Sequence, residues 1–252
     1  MAERQATSTK RVAVIAGGSG EIGGVVARRL AADAVGVYVG FNAHEDAAAK
    51  IAAEIAAAGG TAQAVRLDVL DGDCVERACR CVFEQEGSLD VLVNCAAVNR
   101  EAPAAGMDDA TWRAVMDANL DGAFRLCRAA AKYMVLGRWG RIVNVSSIAA
   151  SHGGRGQINY AASKAGVEAL TRVLALELGR KGVLVNCVAP GVINTRMSER
   201  IRREHAEALL ATIALQRFGE AGEVADVIAF LASDAARYVT GQVIRVDGGM
   251  ML

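Results

Sequence analysis

Short apolar runs alternate with longer segments of helical periodicity along most of the chain. The runs are rich in β-branched residues and nearly continuous, as buried strands require when helices cover both faces of a sheet. The seven runs are RVAVIAG (11–17), VGVYVGF (35–41), AQAVRLDV (62–69), LDVLVNCAA (89–97), RIVNVSS (141–147), VLVNCVAP (183–190) and GQVIRVDGG (241–249). The pattern therefore predicts seven strands of a parallel sheet.

The segments between these runs predict helices. In residues 45–58, apolar positions recur at the spacing of one helix face, and Gly59-Gly60 follow as a stop. Residues 108–136 and 159–180 predict two long helices. Regular strand–helix alternation is typical of βαβ units with right-handed crossovers, which build an α/β doubly wound sheet.

No linker, repeat or low-complexity segment divides the chain. We predict a flexible polar N-terminus at residues 1–10 and one domain over residues 11–252.

Composition excludes several classes of protein. Lys and Arg number 28 and so do Asp and Glu, which leaves no net charge for binding nucleic acid. No uncharged apolar run is long enough to cross a membrane. The six cysteines form no CxxC pair, and with only three histidines no metal site is expected. The first ten residues contain no apolar signal segment, so we expect a cytoplasmic protein with reduced thiols.

A glycine-rich segment joins the first strand to a helical pattern. Gly17, Gly18, Gly20 and Gly23 stand at this turn. Glycines there let the backbone approach a pyrophosphate, and the helix N-terminus offers free N–H groups. Such turns also close strands for purely structural reasons, but the position in the first βαβ unit favours dinucleotide binding.

The chain after the second strand bears on cofactor choice. A carboxylate at position 42 would bind the ribose 2′-hydroxyl of NAD. Asn42 stands there instead, and the absence of a carboxylate favours NADP. The sequence places no arginine opposite a 2′-phosphate. His44 is the nearest cation, and it is equally expected as a surface residue at a helix start. Asp68 either contacts adenine or caps the helix that begins near Asp71.

Tyr160 and Lys164 are one helical turn apart and therefore share a face. A neighbouring ammonium lowers the pKa of a phenol and makes it a usable proton shuttle. Taken alone, such a pair is more often found on a solvated helix face, where it has no catalytic role.

Two further polar residues strengthen the catalytic interpretation. Ser147 lies thirteen residues before Tyr160, at the end of a predicted strand, where doubly wound sheets bind ligands. Ser146 is the alternative hydroxyl, but strand alternation turns only one of the two towards the site. Asn119 is unfavourable inside a helix, so it either breaks the helix or uses its amide, for example to hold a water.

Together these residues resemble the short-chain dehydrogenase/reductase family over residues 11–250. The likeness lies in the glycine loop, LDV at 67–69, NCAA at 94–97, the Pro190-Gly191 turn and VDGG at 246–249, besides the four polar residues. It implies a Rossmann-type three-layer sandwich with a seven-stranded parallel sheet. It also implies that Tyr160 is the general acid/base, that Lys164 lowers its pKa and holds the cofactor ribose, that Ser147 binds the substrate carbonyl, and that Asn119 holds a relay water.

The resemblance also implies the cofactor contacts. They are Gly17, Ser19, Gly20, Glu21, Ile22, Gly23, Asn42, Asp68, Val69, Asn94, Ala96, Tyr160, Lys164, Pro190, Gly191, Ile193 and Thr195. His152 and Gln157 flank the site and are expected to contact substrate with Ser147, under a mobile lid at residues 195–215.

Within the family, the sequence is most similar to 3-oxoacyl-(acyl-carrier-protein) reductases and polyketide ketoreductases. This implies NADP(H)-dependent reduction of a β-ketoacyl thioester, with NAD(H) as the other cofactor. The alternatives are an NAD-linked alcohol, sugar or steroid dehydrogenase and a non-catalytic dinucleotide-binding subunit. Arg138 and Lys181 match cations that dock an acidic carrier protein, although helix C-terminal cations also serve stability. Small apolar faces at 129–131 and 165–167 resemble those of tetrameric relatives, so a homotetramer is expected, unless these faces pack on the sheet.

Several positions depart from the pattern of the family, among them Ala16, Gly20 and Cys95. Glu21 stands where the glycine loop commonly has glycine, and Arg196 replaces a frequent acidic residue of the lid. A Glu21 carboxylate turned inward would repel a pyrophosphate.

Overall fold

A seven-stranded sheet lies at the centre of the protein. The computed structural model describes residues 11–250 and 252. The strands are β1 (Val12–Ala16), β2 (Gly36–Phe41), β3 (Thr61–Arg66), β4 (Val91–Asn94), β5 (Gly140–Val145), β6 (Val183–Pro190) and β7 (Val243–Val246). They run parallel in the order β3-β2-β1-β4-β5-β6-β7, which confirms the predicted doubly wound sheet. The predicted flexible segment 1–10 lies outside the described residues.

Helices cover both faces of this sheet. They are α1 (Glu21–Ala32), α2 (Glu45–Ala57), α3 (Gly72–Glu86), α4 (Asp109–Met116), α5 (Gly122–Gly137), α6 (Ile158–Leu178), α7 (Arg196–Thr212) and α8 (Ala221–Ala232). One apolar core joins the sheet to α1, α2 and α8, and the other joins it to α3, α5 and α6. Successive residues such as Val14 and Ile15 enter opposite cores, which explains why the central strand β1 is apolar at every position.

Several apolar runs extend beyond the strands that they contain. The run 62–69 was expected to be strand throughout, but β3 ends at Arg66. Leu67 is nevertheless buried in the same core as the strands, so apolar character continues where strand pairing stops. The strands β4 and β7 are also shorter than the runs 89–97 and 241–249.

The long helix expected at 108–136 is interrupted. A π-helical turn at Asp117–Asp121 separates α4 from α5, and Asn119 lies inside it. The wider turn changes the direction of the side chains that follow, and such turns are common at functional sites.

The chain changes direction in the sheet between β1 and β4. The strands β2 and β3 lie on one side of β1, and β4 to β7 lie on the other. Ala16 pairs with Asn94 at the carboxyl ends of these two strands. A ligand crevice is expected at this switch point because the following loops diverge in opposite directions.

Three of the six small residues expected to pair subunits are buried within the chain instead: Ala129, Ala130 and Val167. The exposed apolar side chains of α5 and α6 are larger: Phe124, Leu136, Ile158, Val173 and Leu176.

Candidate active site

Three of the predicted catalytic residues come from neighbouring segments at the carboxyl edge of the sheet. Ser147 lies two residues after β5, and Tyr160 lies in the first turn of α6 with Lys164 one turn later. The 3₁₀ turn Ile148–Ala150 follows Ser147 and packs against α6. The strand end and the helix start therefore converge on one site.

The two serines after β5 have different partners. The Ser146 hydroxyl is buried and lies within hydrogen-bonding distance of the Lys164 carbonyl oxygen (3.2 Å) and the Glu168 carboxylate (3.0 Å). The Ser147 Oγ accepts a bond from the Ala149 amide at 3.2 Å, which leaves the hydroxyl proton available to a substrate oxygen. The expectation that only one serine faces the site is met by Ser147.

Lys164 is almost completely buried. Its Nζ donates to the Val145 carbonyl oxygen at 2.7 Å and lies 5.7 Å from the centre of the Tyr160 ring. Burial disfavours the ammonium form and lowers the pKa of Lys164 to about 8.

Burial has the largest effect on the pKa of Tyr160. It raises the pKa of the phenol above its ordinary value, and the neighbouring Ser147 hydroxyl opposes this rise. The phenol is therefore protonated at neutral pH. The lowering expected from Lys164 stays a prediction.

Asn119 uses its side-chain amide to connect two segments. Its Oδ1 accepts from the Val98 amide (2.8 Å), and its Nδ2 donates to the Val98 carbonyl (2.9 Å) and the Ser163 hydroxyl (3.1 Å). These bonds use both N–H groups of the amide and one of the two lone pairs of its oxygen. They fix the loop after β4 against α6 beside the site. The relay water expected at Asn119 stays a prediction.

The glycine loop fits a pyrophosphate. A Cβ on Gly17 would lie 2.8 Å from the Ala96 backbone nitrogen, and one on Gly23 would lie 2.2 Å from the Gly17 carbonyl oxygen. These contacts would force the turn apart, so glycine is required for its compact shape. A Cβ on Gly20 would meet only the Gly17 carbonyl oxygen, at 3.2 Å, so this residue leaves the outer surface of the turn open. Partly buried Ser19 lies in the same turn, and partly buried Ile22 anchors the start of α1.

The carboxylate of Glu21 contacts the start of α7. It accepts a bond from the Arg196 backbone amide at 2.8 Å, and its oxygen lies 3.6 Å from the Arg196 Nε. The positive partner offsets the charge that would otherwise repel a pyrophosphate.

The predicted adenosine contacts lie in the neighbouring loops. Asp68 does not cap α3, because Asp71 accepts the bonds from Asp73 and Cys74 at the helix start. The Asp68 carboxylate instead accepts from the Leu70 amide at 3.0 Å within its own loop. Val69 packs under Gly122, where an added Cβ would come within 2.9 Å. The side chain of Asp68 therefore remains accessible to an adenine.

Sequence reasoning missed one cation at this end of the site. The Arg66 guanidinium donates to the Asn42 side-chain oxygen at 3.2 Å. Arg66 is the last residue of β3 and is 24 residues from Asn42, so only the strand pairing reveals the contact. His44, the cation that the sequence favoured, is an exposed residue at the start of α2.

The remaining predicted cofactor contacts lie at the ends of β4 and β6 and just before α7: Asn94 was expected on the adenosine side, and Ile193 and Thr195 at the nicotinamide end. Asn94 is buried and its Oδ1 accepts from the Ala96 amide at 3.3 Å. At the end of β6, after Pro190, a Cβ on Gly191 would lie 2.7 Å from the Asp247 Cα, which explains the glycine at this packing point. Ile193 is buried, and Thr195 immediately precedes α7.

The predicted lid contains a helix and contacts both rims of the crevice. Residues 196–212 form α7, whose Arg196 meets Glu21 and whose Arg200 pairs with Glu101. Glu101 also accepts a bond from Gln157 at 2.9 Å. Gln157 is thus engaged with the rim, and exposed His152 forms no side-chain hydrogen bond within residues 11–250.

The predicted carrier-docking cations lie at the opposite edge of the sheet. Arg138 and Lys181 immediately precede the starts of β5 and β6, where Gly140 pairs with Val183. Ser147 follows the far end of β5, and six strand residues span about 20 Å. The two cations are therefore distant from the catalytic residues of their own chain.

The cysteines are free thiols. Burial raises the pKa of Cys79, Cys95, Cys127 and Cys187 to about 12, so these four remain protonated and unreactive. No helix in the described part of the chain has the length and apolar character needed to cross a bilayer.

Comparison with known proteins places this geometry among oxidoreductases. A family model described as enoyl-(acyl carrier protein) reductase matches residues 16–251. The chain is 42% identical over 245 residues to a 3-oxoacyl-[acyl-carrier-protein] reductase of Synechocystis sp., covering 97% of this chain and 98% of that protein. It is 40% identical over 240 residues to the 3-oxoacyl-[acyl-carrier-protein] reductase FabG of Staphylococcus aureus, covering 95% and 98%.

The fold is also similar to that of a solved structure. A short-chain type dehydrogenase/reductase from Mycobacterium ulcerans superposes with a TM-score of 0.93 at 35% identity. The match covers 97% of this chain and 91% of the other.

Proposed function

Because the chain belongs to the short-chain dehydrogenase/reductase family and is an NAD(P)-dependent oxidoreductase, we propose that it reduces the ketone of a β-ketoacyl thioester to a secondary alcohol. The observation that carries the proposal is the convergence of Ser147 and Tyr160 at the carboxyl edge of the sheet beside buried Lys164. The 3-oxoacyl substrates named for the relatives indicate the substrate class.

The chain's own residues divide the work at the ketone oxygen. When bound, a nicotinamide supplies the hydride to the carbonyl carbon. Ser147 donates a hydrogen bond to the carbonyl oxygen, and Tyr160 transfers its proton to the same atom. Lys164 places a positive charge near the phenolate that forms.

The names of the relatives support the reducing direction. Both are 3-oxoacyl-[acyl-carrier-protein] reductases, which favours a reductase over a dehydrogenase. In that direction Tyr160 starts as the protonated phenol and gives up its proton. The complete set of Ser147, Tyr160 and Lys164 also argues against a non-catalytic dinucleotide-binding subunit.

We propose NADP(H) as the cofactor, with NAD(H) as the alternative. No carboxylate follows β2, where one would bind the ribose 2′-hydroxyl of NAD. Exposed Asn42 occupies that place.

A substrate panel tests the activity. We expect oxidation of NADPH with a β-ketoacyl thioester and much slower oxidation with cyclic ketones or sugars. Rapid NAD⁺-dependent oxidation of an alcohol, a sugar or a steroid would identify the alternative dehydrogenase. NADPH binding with no turnover of any substrate would identify the non-catalytic subunit.

Carrier linkage and assembly complete the proposal. We propose a cytoplasmic homotetramer that acts in fatty-acid or polyketide metabolism, with Phe124, Leu136, Val173 and Leu176 covered by neighbouring copies. These four side chains are between 47% and 84% exposed in one chain, and covering such apolar area stabilises an assembly. In this assembly, an acyl carrier protein that docks at Arg138 and Lys181 of one copy brings its substrate to the active site of another copy. Light scattering that shows monomer alone would contradict the assembly.

Carrier docking has a separate test. Reversing the charge of Arg138 and Lys181 is expected to raise the KM for an acyl-carrier-protein substrate and to leave that for a small thioester analogue unchanged.

A further inference from the structure

We propose that Arg66 is the residue that binds the adenosine 2′-phosphate of NADP(H). The inference rests on the proposed cofactor and identifies the side chain that selects it. Arg66 is not in the glycine loop or in the segment after β2, so sequence spacing alone gives no indication of this role.

The sheet brings Arg66 to the required place. Phe41, the last residue of β2, is the register partner of Arg66, the last residue of β3. The backbone pairing continues one step further, because the Leu67 amide donates to the Phe41 carbonyl at 2.7 Å. Arg66 is thus fixed beside the start of the loop that begins with Asn42.

The Arg66 side chain reaches across to that loop. Its terminal nitrogen donates to the Asn42 Oδ1 at 3.2 Å, and both residues are exposed to solvent. A carboxylate following β2 binds the ribose 2′-hydroxyl, so the side chain at Asn42 lies near the position of a 2′-phosphate. Arg66 and Asn42 together then offer guanidinium and amide donors to the phosphate oxygens.

The present partner of the Arg66 guanidinium is a weak one. In the part of the chain that the structure describes, the guanidinium donates to a neutral amide and has no carboxylate partner. A guanidinium presents its donors in a planar fork that matches a phosphate in two-point geometry. Exchanging the single hydrogen bond to the Asn42 amide for two charge-assisted bonds to a phosphate is therefore favourable in free energy.

The surrounding charge makes this cation necessary. The first turn of α2 carries Glu45 and Asp46, which repel a phosphate, and Lys50 lies one turn further along the helix. Gly20 in the glycine loop contributes no charge. Arg66 supplies a positive charge in direct contact with Asn42.

Binding of cofactor fragments tests the proposal without any reaction. We would measure the affinity of the protein for 2′,5′-ADP and for 5′-AMP by calorimetry, in wild type, Arg66→Gln, Arg66→Lys and Arg80→Gln. Arg80 is an exposed arginine on α3 that pairs with Glu84, so it is the control for loss of a surface charge.

We expect Arg66→Gln to weaken 2′,5′-ADP binding by about tenfold, the loss typical of one charge-assisted contact. Binding of 5′-AMP should change by less than about twofold on the same grounds. Arg66→Lys retains the charge but not the planar fork, so its affinity for 2′,5′-ADP should lie between those of wild type and Arg66→Gln. Arg80→Gln should match wild type. The KM for NADPH should rise in parallel, and that for NADH should not.

Two results would overturn the proposal. Equal weakening of both fragments would show that Arg66 only supports the loop, and unchanged 2′,5′-ADP affinity would remove the contact. Absence of ketone reduction alongside the expected fragment pattern would reject the substrate and keep Arg66 as the phosphate-binding residue.

Discussion

The Glu21 carboxylate, at the first residue of α1, accepts a hydrogen bond from the backbone amide of Arg196, at the first residue of α7. These residues are 175 positions apart. Each departs from the usual pattern of the family, and the structure shows that the two departures contact each other. The bond joins the start of the helix that follows the glycine loop to the start of the proposed lid.

Removing Glu21 should loosen α7 more than removing the side chain of Arg196. Glu21→Ala deletes an acceptor for a helix N-terminal amide, a contribution of about 1 kcal/mol. Arg196→Ala keeps that backbone bond and loses an exposed ion pair, which contributes less. We expect amide exchange at residues 195–198 to accelerate about fivefold in Glu21→Ala and little in Arg196→Ala. Identical exchange in the two variants would contradict this coupling.

Tyr160→Phe should abolish most turnover while the protein keeps its fold. Loss of a positioned proton donor costs roughly 10²–10⁴-fold in kcat. NADPH affinity, measured by fluorescence, should change little because the ring remains. Ser147→Ala provides the matched variant, since it also removes one hydroxyl from the site. Near-normal turnover in Tyr160→Phe would remove this residue from the mechanism.

Asn119→Ala should destabilise the fold as well as the site. The change leaves the Val98 amide and carbonyl without their partners, which costs about 2–3 kcal/mol in the free energy of unfolding. Ser163→Ala removes the bond at the other end of the network and should cost about 1 kcal/mol. Urea titration of both variants measures whether Asn119→Ala loses more unfolding free energy than Ser163→Ala. Equal stability of Asn119→Ala and wild type would show that these bonds contribute nothing.

The buried ammonium of Lys164 should make stability depend on pH in the alkaline range. Its pKa is about 8 in the folded protein against 10.5 for the free side chain. Between these values the unfolded chain binds more protons than the folded one, so the free energy of unfolding rises with pH.

Comparison with Lys164→Met isolates this group. From pH 8 to pH 9.5 the wild type should gain about 2 kcal/mol of unfolding free energy relative to the variant. A difference that stays constant over this range would mean that Lys164 keeps its ordinary pKa.

The apolar runs identified all seven strands because a strand covered on both faces must be apolar at each position. Their ends were less well predicted, since Leu67 is as buried as a strand residue although it lies in a loop. The helix at Ala221–Ala232 was not predicted, and its apolar character on several sides gave a weak helical period. The break at Asn119 was foreseen only as one of two alternatives.

The sequence alone determined the parallel sheet, the glycine turn and the one-turn spacing of Tyr160 and Lys164, because these depend on local periodicity and backbone geometry. Tertiary structure decided what depends on residues distant in the chain. It placed Arg66 on Asn42, turned Glu21 towards Arg196 and engaged the Asn119 amide with Val98 and Ser163. It also set the direction of the pKa of Tyr160, since desolvation is produced by packing around the phenol and has no signature in the spacing of residues.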